Sequence, residues 1–92
     1  MNLNSTITIP DTVFSQEVDD ETIVLDTTTQ EYFNFSDLGK VIWDMLVEEN
    51  TLLEIYEELD ECLEIDSKQL EKDILEFIKS LSDTNLVIIE NK

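Results

Sequence analysis

The chain has 92 residues, enough for one small domain with a modest core, and 41% of them are apolar, so its acidity does not by itself mean disorder. It carries 23 Asp and Glu against 5 Lys, with no Arg and no His, for a formal net charge of −18. Such a chain repels phosphate backbones and anionic membrane surfaces, both of which need Lys and Arg to displace counterions, so neither nucleic acid nor a membrane is an expected partner.

A single cysteine, Cys62, rules out an internal disulfide. With no histidine there is no His/Cys metal cluster and no Ser/His or Cys/His nucleophile pair, and no Gly-rich phosphate loop occurs. No cationic apolar signal segment or long apolar run is present. The expectation is a cytoplasmic, non-enzymatic protein with no cofactor and no metal.

Residues 1–12, "MNLNSTITIPDT", end in a Pro-Asp turn signal and read as an extended arm whose order the sequence leaves open. The domain proper is expected over 13–92. Phe14, Gln16 and Val18 alternate as in a strand over 13–18, "DDE" at 19–21 is a turn, and Ile23, Val24 and Leu25 mark a second strand over 22–26. "TTTQ" at 27–30 turns the chain again, and Glu31 to Phe35 forms a third strand, completing a meander.

After Phe35 the period changes from two to 3.6. Leu38, Val41, Ile42, Met45 and Leu46 form the stripe of a first helix, for which Ser36 can serve as N-cap. Thr51 and Glu54 have capping-box spacing ahead of a second stripe, Leu52, Ile55, Tyr56, Leu59 and Leu63. Asp66 and Gln69 repeat it ahead of a third, Leu70, Ile74, Phe77, Ile78 and Leu81. "LVIIE" at 86–90 is either a short strand or an extended tail.

Three strands followed by three helices predict an α+β fold with helices packed on one side of a small antiparallel sheet. Such a sheet has two edges whose unpaired N–H and C=O groups are either covered or paired with a partner strand. A peptide-binding module follows from that physics alone.

The order and spacing of several motifs resemble the PqqD family of peptide-recognition proteins. "TIVLD" precedes the aromatic pair Tyr32-Phe33; Phe35-Ser36 stand where Leu-Asn is usual; Gly39 matches a glycine, and Ile42-Trp43 a hydrophobic-Trp pair. "TLLEIYEEL", "LEID" and "LEKDILEFIKSL" follow in order, with Asp73-Ile74 resembling an Asp-Val of the third helix, and the likeness spans about 13–88. Two departures stand out. Ser36 replaces Asn, and Asn85 replaces a glycine at a position where Asn tolerates left-handed backbone.

The resemblance implies a winged-helix-like recognition element for RiPPs, ribosomally made and later modified peptides. Such an element binds the leader of a precursor peptide and presents it to a maturation enzyme: a leader peptidase, a cyclase or a radical S-adenosylmethionine enzyme. It further implies that the leader adds as a strand to the third strand and lies against the third helix. On this sequence the backbone from Gln30 through Glu31, Tyr32 and Phe33 to Asn34 would pair with the leader. Phe33 and Phe35 are expected in the core and Tyr32 beside the groove, with the reverse register open.

On the third helix, Lys68, Lys72, Leu75 and Lys79 cluster roughly opposite the core stripe. Leu75, with Ile78 at the core margin, would contact apolar leader side chains while the lysines meet carboxylates. A solvated face is the alternative for any single lysine.

Trp43 is expected in the core with an indole N–H that needs a partner, Gly39 at a close packing contact, and Cys62 as a small buried hydrophobe. The acidic run Glu57, Glu58, Asp60, Glu61 and Glu64 lacks the glycine-centred loop of a calcium site and reads as a solvated face or a steering field. The function expected is a non-catalytic leader-peptide chaperone of the kind used in lasso-peptide or radical-enzyme pathways. The competing class is an acidic interaction protein: a nucleic-acid mimic, an immunity protein or an inhibitor.

Overall fold

A computed structural model of the protein describes residues 2–90. The alternating apolar residues of the first third of the chain form β1 (Thr6–Thr8), β2 (Val13–Val18), β3 (Glu21–Asp26) and β4 (Glu31–Phe35). The helical stripes become α1 (Asp37–Val47), α2 (Leu52–Cys62) and α3 (Ser67–Asp83), and β5 (Ile88–Glu90) closes the described chain.

β2, β3 and β4 build an antiparallel sheet in that spatial order, leaving β2 and β4 as its edges. The three helices follow this sheet in sequence, giving the α+β class expected. β1 pairs with β5, Thr6 opposite Glu90 and Thr8 opposite Ile88, so the arm is tied to the end of the chain and the "LVIIE" run is in part a strand. That pairing joins segments too far apart in sequence for any local pattern to announce it.

β3, the central strand, alternates as a half-buried strand should. Thr22, Val24 and Asp26 are buried on the inner face, and Ile23 and Leu25 are half-buried on the outer one. The two buried polar groups of β3 have hydrogen-bond partners, as buried polar groups require. Asp26 Oδ1 accepts from the Thr28 amide at 2.9 Å, and the Thr22 hydroxyl donates to Asp44 Oδ1 at 3.0 Å. Lys40 Nζ lies 2.6 Å from Asp44 Oδ2 and 2.9 Å from Glu17 Oε2, so one cluster links β2, β3 and α1. Hydrogen bonds to Asp44 first and Glu17 second hold the Lys40 ammonium above its ordinary pKa of 10.5.

The helix starts differ in chemistry. Thr51 and Glu54 form the predicted reciprocal box. Asp66 caps α3 through the Lys68 amide at 2.9 Å, but Gln69 turns to Asp73, donating at 2.7 Å, so no box closes there. Ser36 occupies the N-cap of α1 with extended backbone and makes no side-chain cap hydrogen bond. Capping requires helical geometry at the next residue, and Asp37 is left-handed at φ 53°. Asn85 takes the left-handed conformation allowed for it, φ 64°.

The core joins Val24 to Ile42, Trp43 and Leu46 of α1, Leu52, Ile55 and Leu59 of α2, and Leu70, Ile74, Ile78 and Leu81 of α3, with Leu86 and Val87 beyond. α1 is rotated relative to the predicted stripe: Trp43 is buried to 1% exposure while Val41 is 42% exposed. Trp43 Nε1 is buried without a hydrogen-bond partner among the described residues, at a cost of about 1–3 kcal/mol. Cys62, expected inside, is exposed. It sits in the last turn of α2 on the solvent side, its Sγ 3.9 Å from Glu58 Oε1.

Candidate functional site: the β4 edge and the two flanks of α3

β4 is the edge of its sheet, with Tyr32 paired to Leu25 and Phe33 to Val24 on one side only. Glu31, Tyr32 and Asn34 are exposed, while Phe33 and Phe35 are half-buried against the core, which fixes the register that the sequence left open. Gln30 precedes the strand in a left-handed conformation, φ 63°, and its amide is spent on Asp26 O at 2.7 Å.

Tyr32 therefore points to the outer face of the sheet, away from the helices, rather than into a groove beside α3. It is 69% exposed, and Phe14, 59% exposed, stands two strands away in the same row, Phe14 opposite Leu25 and Leu25 opposite Tyr32. That outer row is a feature the sequence reading missed. The alternation within each strand was visible, but only the pairing aligns the three side chains.

Phe77 locates the side of α3 that faces the β4–α1 junction. Its ring meets Phe35 edge-on at 5.3 Å between centroids, and Phe35 in turn lies 5.5 Å from the ring of Trp43. A Cβ on Gly39 would come within 3.3 Å of Phe77, so the glycine permits this close approach. Gly39 is a packing residue, as its position at the start of a helix beside the sheet suggested.

At about 100° per residue, Asp73 lies roughly 40° from Phe77 around the helix, on the same flank. Leu75 lies roughly 160° away, and Lys68, Lys72 and Lys79 about 140–180° away. These residues, with Glu71 and Glu76, line an open surface depression made by α3 alone. Leu75 is half-buried against the core from that far side, and Lys72 approaches Glu76 at 4.0 Å.

The structure thus separates the predicted peptide-binding residues. Glu31, Tyr32, Phe33 and Asn34 lie on the β4 edge; Lys68, Lys72, Leu75 and Lys79 lie on the opposite flank of α3. Ile78 is no margin residue, since it is 0% exposed in the centre of the core. The stripe of α3 is centred on Ile74 and Ile78, which leaves Phe77 half-exposed at the side. Phe77, which the sequence reading assigned to the core stripe, is the α3 residue that meets the end of β4 through Phe35.

This is a small α+β domain whose three-stranded sheet has β2 and β4 as edges, with the half-buried Phe77 beside the end of β4, an arrangement of the kind that strand addition uses. The family model described as Coenzyme PQQ synthesis protein D (PqqD) matches residues 21–87, and the chain belongs to that family. Two solved structures share the fold. One is TbiB1 in complex with the TbiA(beta) leader peptide, 30% identical, with a TM-score of 0.83 over 87% of this chain and 93% of that one. The other is lasso peptide synthetase B1 complexed with the leader peptide, 18% identical, with a TM-score of 0.82 over 89% and 96%. No curated protein matches the sequence.

Proposed function

We propose that the protein is a non-catalytic recognition element that binds the leader of a ribosomally made precursor peptide by strand addition to β4 and holds it for a maturation enzyme. The observation that carries this is the unpaired edge of β4 in a chain 30% identical to TbiB1, whose own structure contains a leader peptide. Backbone pairing supplies affinity, and the side chains beside the edge supply selection. Phe33 and Phe35 form the inner boundary of the edge and Phe77 the helical wall.

Residues 13–92 make up the recognition unit in this reading, with 1–12 as an accessory arm. The partner enzyme is a leader peptidase of a lasso-peptide pathway, and the outer row of exposed Phe14, half-buried Leu25 and exposed Tyr32 gives it an apolar surface next to the bound strand. The single unpaired thiol suits the reducing cytoplasm as the place of action. Among the described residues, no helix is long and apolar enough to cross a membrane.

Amide hydrogen exchange with the TbiA(beta) leader peptide tests the mechanism. The expected result is slowed exchange at alternate residues of β4, with binding that persists as salt is raised. Binding that leaves β4 exchange unchanged and collapses with salt would instead favour recognition through surface charge.

A further inference from the structure

The region around the β4 edge differs in charge from the rest of α3. Glu31 begins the strand, Asp37 opens α1 and Asp73 lies on the Phe77 flank, and none of the three has an ion-pair partner among the described residues. No described lysine shares this region. Lys68, Lys72 and Lys79 face the far side of α3, and Lys40 is held between Glu17 and Asp44. Asp73 is half-buried, its Oδ1 receives the Gln69 amide at 2.7 Å, and no bond to its Oδ2 occurs among the described residues.

The spacing of Asp73 and Phe77 suits an extended peptide. Four residues of helix advance about 6 Å, and two residues of strand advance about 6.6 Å. In a peptide running along α3, side chains i and i+2 share the face turned to the helix, so one meets the Phe77 ring and the next meets the Asp73 carboxylate.

We propose that the strand accepted at β4 is a basic segment, and that Asp73 selects it by receiving a lysine or arginine two residues from an apolar side chain seated on Phe77. This rests on the reading of β4 as the leader-binding edge. Gln69 holds one oxygen of the carboxylate, which leaves the other for the ligand. A carboxylate in the peptide at that point would face Asp73 within a protein of net charge −18, with no nearby cation to offset the repulsion. A cation there gains a charge-assisted hydrogen bond, expected to change affinity about ten-fold.

The test is a scan of the TbiA(beta) leader peptide in which each residue in turn is replaced by Lys and by Glu. Each peptide is titrated into the wild-type protein, Asp73→Asn and Asp73→Lys. The expected result is one position where Lys binds about ten-fold tighter than Glu in wild type, with the preference lost in Asp73→Asn and reversed in Asp73→Lys. Asp73→Asn keeps an oxygen for Gln69, so it reads the charge even if Asp73→Lys is poorly folded. A preference that is the same in wild type and Asp73→Asn, or no preference at any position, would overturn selection by Asp73 while leaving strand addition standing. Failure of every peptide to bind the wild-type protein would overturn the leader reading, and this proposal with it.

Discussion

The two flanks of α3 carry the same amount of apolar chemistry and put it to different uses. On one flank Phe77 is wedged between Phe35 and Gly39, tying the helix to the junction of β4 and α1. On the other, Leu75 lies among lysines and glutamates in a depression that no other element borders. A stripe alone does not distinguish a wall of a site from a solvated margin; what distinguishes them is which neighbour arrives from elsewhere in the chain.

Substitutions on the two flanks sharpen that contrast. Phe77→Ala should have the largest effect. Removal of a fully buried Phe costs about 3–5 kcal/mol, so this half-buried ring should cost about 2 kcal/mol in a urea titration. It should also lower leader affinity about ten-fold or more, because the wall of the site goes with it. Leu75→Asp, on the far flank, should lose about 1 kcal/mol of burial and leave leader affinity unchanged by calorimetry. Equal loss of affinity in the two variants would break the comparison.

Gly39→Ala should have a smaller effect still. The new methyl gains about 1 kcal/mol of helix propensity but must push the Phe77 ring aside, from 3.3 Å. Near-zero net change in stability with a few-fold weaker leader binding is expected. The smallest effect belongs to Lys40→Met, whose side chain is engaged by Glu17 and Asp44 and not by either flank. The folded-state pKa of Lys40 is raised, so its stabilisation is fully present below the ordinary value of 10.5 and fades as pH climbs through the raised one. Wild type should unfold at slightly higher urea than Lys40→Met at neutral pH, and the two should converge in strong alkali.

Much of the scaffold was legible because its signals are local. The runs "VFSQEV" and "EYFNF" are strands over the predicted residues, and Thr51 with Glu54 closes its box. Some of the failures turn on a partner distant in sequence. Trp43 goes inside as expected, its ring 5.5 Å from that of Phe35, whereas Val41, assigned to the inner stripe of the same helix, is exposed. Ile78 and Phe77 are adjacent on one stripe, and the β4–α1 junction decides which becomes the side wall. The lysine face was correctly grouped by helical spacing, but the spacing contains no direction towards β4. At Ser36 the residue type suited a cap, and the left-handed backbone of Asp37 prevented it.

The ring of Trp43 is the chain's only indole and lies 5.5 Å from Phe35, the last residue of the β4 edge. Its fluorescence therefore arises from one buried position whose immediate neighbour belongs to the strand proposed to receive the peptide. A peptide that shifts Phe35 will alter the colour or intensity of that emission, so the unlabelled protein carries its own optical gauge of occupancy. Cys62, exposed on α2, offers a single thiol for a second dye, and energy transfer between the two would follow the separation of α2 from the edge as the peptide arrives.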